Sequence, residues 1–93
     1  TIRYAAMKDG QIVVVAEKLS GPSNVRSLDE LEGALNSPSF FRSHRSYLVN
    51  LDHVLEVIPW FSGRLKLKIN DGKASEVPVS RSRAKTLKKL LTI

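Results

Sequence analysis

Between Arg64 and Ile69 every second residue is apolar and the residues between are cations: Arg-Leu-Lys-Leu-Lys-Ile. That period of two describes an extended strand with one greasy face and one cationic face. Such a strand must lay Leu65, Leu67 and Ile69 against a second layer while Arg64, Lys66 and Lys68 meet water. The turn signal Asn70-Asp71-Gly72 follows, and a return strand is expected from about Ser75 to Val79. A sheet of this kind, covered on one side, is the first constraint on the fold.

The rest of the chain fits around it. Residues 2–7 read as a short strand, Lys8-Asp9-Gly10 as a turn, and residues 11–17 as a β-branched strand, which together predict a hairpin. Residues 18–24, with Gly21-Pro22 at their centre, read as a loop. Ser27-Leu28-Asp29-Glu30 is a capping-box pattern, in which the serine accepts from first-turn amides and the glutamate reaches back. Leu28, Leu31 and Leu35 follow at helical spacing. This predicts a helix of about nine residues ending near Asn36 and stopped by Pro38. Phe40-Phe41 leads into the strand-like Tyr47-Leu48-Val49, residues 54–60 alternate as another strand, and Phe61-Ser62-Gly63 is a turn. Ala84, Leu87, Leu90 and Leu91 form the apolar stripe of a final short helix, with Arg83, Lys85, Lys88 and Lys89 mostly off it. Five or six short strands and two short helices define a mostly-β fold.

Size and composition exclude several functions. A chain of 93 residues holds one domain, with little room for an enclosed active-site cavity besides a core. It has no cysteine, so disulfides, cysteine-based zinc sites and thiol nucleophiles are ruled out together. His44 and His53 lack zinc-ligand spacing, and no phosphate-binding glycine loop or nucleophile elbow is present. No enzyme activity, metal or cofactor is expected. The longest apolar run, residues 12–16, is far below the roughly 20 needed to span a bilayer, and a cytoplasmic protein is expected. Thr1 opens directly into a strand pattern, so the chain reads as a piece of a longer protein.

Charge indicates a partner. The net charge is +6 and the distribution is uneven. Residues 1–41 carry four basic and five acidic side chains, whereas residues 42–93 carry eleven basic and four acidic. A one-sided positive field attracts polyanions, nucleic acid first and an anionic membrane second. The two helix candidates lie too far apart for a helix-turn-helix, so any DNA reading must come from loops and strand ends. Two segments suit it. In Phe40-Phe41-Arg42-Ser43-His44-Arg45-Ser46-Tyr47 the aromatics can anchor a loop while Arg42, His44 and Arg45 project outward. Arginine can bond guanine O6 and N7 bidentately, and Ser, His and Arg can donate to phosphates. In Val79-Ser80-Arg81-Ser82-Arg83 a strand hands over to a helix whose first-turn amides, with hydroxyls and guanidiniums beside them, form an anion site. The competing readings are a small basic RNA-binding module and a membrane-surface adaptor. The first usually needs an aromatic platform, and the second rests on the short basic last helix.

At these residues the sequence resembles the LytTR family, the DNA-binding output domains of many bacterial response regulators. The resemblance is carried by residues 27–31, by Phe40-Phe41-Arg42-Ser43-His44-Arg45-Ser46-Tyr47-Leu48-Val49-Asn50-Leu51, and by Asp71-Gly72 followed by Val77-Pro78-Val79-Ser80-Arg81. It implies an elongated sandwich of short antiparallel strands with small helices, with loops on one edge entering successive major grooves. It places Arg45 and Arg81 on bases, and loosely Gln11 in the first hairpin loop. Phosphate contacts would fall to Ser46, Ser82, Arg83, Lys85 and His44, although His44, with Tyr47 and Asn50, can equally hold the loop's shape. It further implies a pair of domains on direct repeats of duplex DNA, and a receiver domain elsewhere in the protein. The family domain usually starts with one or two further strands, which residues 1–93 are expected to lack.

Overall fold

Asp9 and Gly10 both take positive φ, 51° and 74°, the left-handed pair that a two-residue hairpin turn requires. They join β1 (Ile2–Lys8) to β2 (Gln11–Ala16) in antiparallel register, with Lys8 opposite Gln11. The computed structural model describes residues 1–17 and 19–92. Along the chain follow β3 (Leu19–Pro22), α1 (Leu28–Leu35), β4 (Phe40–His44), β5 (Tyr47–Asn50), β6 (Val54–Pro59), β7 (Leu65–Ile69), β8 (Glu76–Val79) and α2 (Arg81–Leu91). Two antiparallel sheets result, one in the order β3-β2-β1-β5-β4 and the other in the order β6-β7-β8.

The strand alternation assigns each face. Tyr4, Ala6, Phe41 and Val49 point from the five-stranded sheet toward Leu65, Leu67, Ile69, Val77 and Val79 of the smaller sheet and Ala84 and Leu87 of α2. Ala5, Ile12 and Leu48 point the other way, onto Leu28 and Leu31 of α1. Because β1 is covered on both faces, Tyr4, Ala5 and Ala6 are all buried. The molecule is therefore layered, with α1, the large sheet, then the small sheet with α2, and measures 34 × 25 × 25 Å. This is the expected mostly-β, elongated arrangement.

Several expectations change. There are eight strands among the described residues rather than five or six. Part of the expected loop at 18–24 is the edge strand β3, where Pro22 is tolerated because its missing N–H faces no further strand. Lys18 lies outside the described residues. The segment 40–47 is not one long loop: β4 carries it as strand through His44, leaving only Arg45-Ser46 as a turn. Ser27 caps α1 by accepting from the Glu30 N–H at 3.0 Å, and Asn36 closes the helix in the left-handed conformation.

The connection after β7 is a six-residue loop built around Asp71 rather than a tight hairpin turn. That carboxylate is buried and accepts from the Lys73 and Ser75 N–H groups and from the Ser75 hydroxyl. Burial pushes its pKa up, but these donations outweigh burial and hold it below the ordinary carboxylate value. In α2 only Ala84 and Leu87 of the expected stripe are buried; Leu90 is 60% exposed. At 3.6 residues per turn, Ala84, Leu87 and Leu91 align, while Leu90 lies about 90° away from their centre. Leu91 sits at the rim of a groove with Leu51, Leu55 and Leu67.

Candidate nucleic-acid interface

The register of the large sheet brings two hairpin ends together. The Met7 N–H donates to the Ser46 carbonyl at 2.9 Å, so the Asp9-Gly10 turn and the Arg45-Ser46 turn lie at the same end of the sheet. Gln11, exposed at the start of β2, stands two strands from Ser46, a lateral distance of about 10 Å.

The second tie crosses between sheets. Strand alternation puts Ser43 on the inward face with Phe41, where it is fully buried and its hydroxyl donates to the Pro78 carbonyl at 3.0 Å. The Ser80 N–H donates back to the Ser43 carbonyl at 3.0 Å. Ser80 is also the N-cap of α2, accepting from the Arg83 N–H at 3.4 Å. The β4–β5 turn and the start of α2, thirty-odd residues apart in sequence, are thus held side by side. The two expected recognition segments form one face.

Within that face the arginines divide into two kinds. Arg42 was expected to project outward, and it does not. It points from β4 toward α1, where Nη1 meets Asp29 at 2.6 Å with Glu32 at 3.9 Å. Its Nε donates to the His44 carbonyl at 3.1 Å and Nη2 to the Arg45 carbonyl at 2.8 Å. With all three nitrogens engaged, Arg42 fixes the shape of the turn. Arg83 is similarly engaged: Nε donates to the Arg42 carbonyl at 2.8 Å, and its guanidinium lies 4.7 Å over the Phe41 ring. Arg45 is different. It is exposed, and its guanidinium has no partner among the described residues. Arg81 is exposed too, with Nε on the Ser62 carbonyl at 3.0 Å and both terminal nitrogens available. Ser82 and Lys85 are exposed on the first turns of α2, and Ser46 is half-buried.

His44 stands between these groups, edge-on to Tyr47. Its Nδ1 accepts the Ser46 N–H at 3.1 Å, which leaves Nε2–H as the outward donor of the neutral ring. Burial lowers its pKa below the usual 6.5, and the nearby charges of Arg45, Arg42 and Arg64 lower it further. The unfolded chain therefore takes up this proton first as pH falls. The stability tied to neutral His44 is full above about pH 6.5 and is lost as pH drops toward the folded value. Two shallow depressions flank it and share His44 and Ser80. One is lined by Arg42, Arg45, Ser82 and Arg83, and the other by Trp60, Arg64, Lys66 and Arg81.

Sequence reasoning missed the pinning role of Arg42 and the part played by the Trp60–Gly63 region beside Arg81. The acids Asp29 and Glu32, one turn apart in an otherwise basic protein, were the available signal for the first. Nothing local signals the second, because the Ser62 carbonyl is a backbone group.

A basic face built from sheet ends and a helix start, with no helix-turn-helix among the described residues, defines a sheet-scaffolded nucleic-acid-binding domain. Comparison with known proteins sharpens this. The LytTr DNA-binding domain family matches residues 1–92. The sensory transduction protein LytT of Bacillus anthracis is 40% identical over 92 residues, covering 99% of this chain and 36% of that one. The transcriptional regulatory protein YpdB of Escherichia coli K12 is 40% identical over 65 residues, 70% of this chain and 26% of its own length. A solved LytTr DNA-binding domain, from a Bacillus cereus protein described as a methyl-accepting/DNA response regulator, superposes with a TM-score of 0.86 at 37% identity. That match covers 99% of this chain and 82% of the other. The chain belongs to the LytTr DNA-binding domain family. It is a family of DNA-binding domains, as the resemblance carried by residues 40–51 and 77–81 implied. The chain spans little more than a third of the length of the LytT relative. No helix among the described residues is long and apolar enough to cross a membrane.

Proposed function

We propose that this domain reads specific sequences in double-stranded DNA without any covalent step, as part of a cytoplasmic two-component response regulator. The observation that carries the proposal is the pair of exposed arginines, Arg45 and Arg81, presented by segments that share the Ser80–Ser43 hydrogen bond. Arg45 and Arg81 read base edges in the major groove, and Gln11 reaches a base from the first hairpin. Ser46, Ser82, Lys85 and the Nε2–H of His44 contact phosphates. Arg83 contributes positive potential and a terminal nitrogen while its Nε braces Arg42. Two domains bind direct repeats, the loops of each entering successive major grooves.

The test is competition among a selected duplex, scrambled duplex and single-stranded RNA, followed by a salt titration. The selected duplex should win, and log affinity should fall linearly with log salt, by about 0.9 for each phosphate contacted. Lys85→Ala should weaken selected and scrambled duplex alike and flatten that slope by about one. Preference for RNA, or a slope near zero on duplex, would refute the proposal.

A phosphate at His44 opposes the three guanidiniums and raises the lowered pKa of the ring. Protons are then taken up at Nδ1 on binding, in place of its bond from the Ser46 N–H, so affinity should increase as pH falls through the ordinary histidine value of about 6.5 at fixed salt. His44→Gln should remove the increase. Identical pH profiles for the two proteins would mean that His44 only shapes the turn.

A further inference from the structure

The β6–β7 connection is not a bland turn. Ser62 and Gly63 take consecutive left-handed conformations, with φ of 61° and 75°, and the Trp60 N–H closes the tip on the Arg64 carbonyl at 2.9 Å. This geometry offers the Ser62 carbonyl to Arg81 Nε at 3.0 Å. A Cβ at Gly63 would lie 3.3 Å from Arg81 Cγ, so the absence of a side chain there permits the approach. Around this contact the tip displays two large aromatics, Trp60 at 44% and Phe61 at 63% exposure, packed against each other at 5.2 Å between ring centres. Cations bracket them. The Lys66 ammonium, paired with Glu76 at 3.4 Å, lies 3.7 Å over the Trp60 ring, and the exposed Arg64 guanidinium 5.9 Å over Phe61.

Exposing two aromatic rings is unfavourable unless something covers them. The covering surface must accept apolar rings and several cations at once, and it must be continuous with whatever Arg81 faces. The sugar–phosphate backbone of a duplex meets all three conditions: deoxyribose faces are apolar, and phosphates alternate with them. We propose that the Trp60–Arg64 tip is an additional DNA-contacting element. It braces Arg81 through Nε, so that the arginine reads with its two terminal nitrogens. It also lays Phe61, Trp60 and Arg64 on the backbone flanking the base that Arg81 reads, with the Arg64 guanidinium on a phosphate. The inference rests on Arg81 facing the duplex.

The test uses two versions of the selected duplex, one ending at the base pair read by Arg81 and one extended past it by a few base pairs. Wild type should bind the extended duplex more tightly, by about eightfold at 0.1 M salt for one further phosphate neutralised. The double variant Phe61→Ser with Arg64→Gln alters only exposed side chains and should keep the wild-type melting temperature. It should lose most of the gain from the extension, with a salt slope on the extended duplex lower by about one. Gly63→Ala should loosen base preference at the Arg81 position alone. Equal gain from the extension in wild type and the double variant, or no gain in either, overturns the proposal. Arg81→Ala measured in parallel keeps the two ideas apart. If it leaves base preference intact, the base-reading assignment fails and the tip proposal falls with it; if it abolishes the preference while the double variant keeps the wild-type gain from the extension, the tip proposal alone fails.

Discussion

Arg81→Ala should bind the selected duplex about ten- to hundred-fold more weakly than wild type, the value of one bidentate guanine contact of about 1–3 kcal/mol. On scrambled duplex the loss should be much smaller, because one charge among many is removed. Arg45→Ala should behave in the same way at a different and well-separated base position. Neither variant should shift the melting temperature appreciably: the Arg45 guanidinium has no partner among the described residues, and Arg81 makes one exposed hydrogen bond to a backbone carbonyl. Lysine at either position should restore charge but only part of the discrimination, since it lacks the planar fork. At position 81 it also loses the Nε that Ser62 holds. Arg42→Ala gives the contrast. That guanidinium ties the turn to Asp29, so its loss should lower base discrimination at the Arg45 position by releasing the turn. Uniform weakening on every duplex by Arg45→Ala and Arg81→Ala would make these residues phosphate clamps instead.

The largest effect on folding is expected at Leu87. It is fully buried in the core between the two sheets, so Leu87→Ala should cost about 2–5 kcal/mol in urea or thermal denaturation. For a domain whose whole stability is about 5–15 kcal/mol, this is a large fraction. Leu90→Ala, three residues on and exposed, should stay within about 0.5 kcal/mol. Because α2 begins at Ser80, loosening it also disturbs the Ser80–Ser43 tie, so Leu87→Ala should weaken specific binding near its melting temperature. Equal costs at the two leucines would reverse the orientation of the helix.

The pattern of what could be read from sequence has physical causes. Asp9-Gly10 announced its hairpin because only residues tolerant of positive φ suit that turn. Leu65, Leu67 and Ile69 announced β7 because strict alternation has one extended solution. Ser27 and Ser80 announced both helix starts. In contrast, β4 hid inside a polar run. Ser43 is buried there on the Phe41 face with its hydroxyl bonded to Pro78, and the charge of Arg42 is answered by Asp29 and Glu32 on α1. Those are tertiary partners, invisible to a local window. Leu90 was misplaced because a stripe drawn through four positions ignored the angle between them. In the site, the residue types pointed to Arg45 and Arg81. Only the packing separates them from Arg42, which has the same side chain and the opposite job.

Guanine N7 methylation interference tests the central claim most directly, because a methyl group at N7 blocks the atom that an arginine must reach in the major groove. With wild-type protein, duplexes methylated at two separate guanines in each site should be excluded from the bound fraction. Arg45→Ala should restore binding of duplexes methylated at one of them, and Arg81→Ala at the other. A wild-type pattern with no excluded guanine, or one unchanged by both substitutions, would contradict the account.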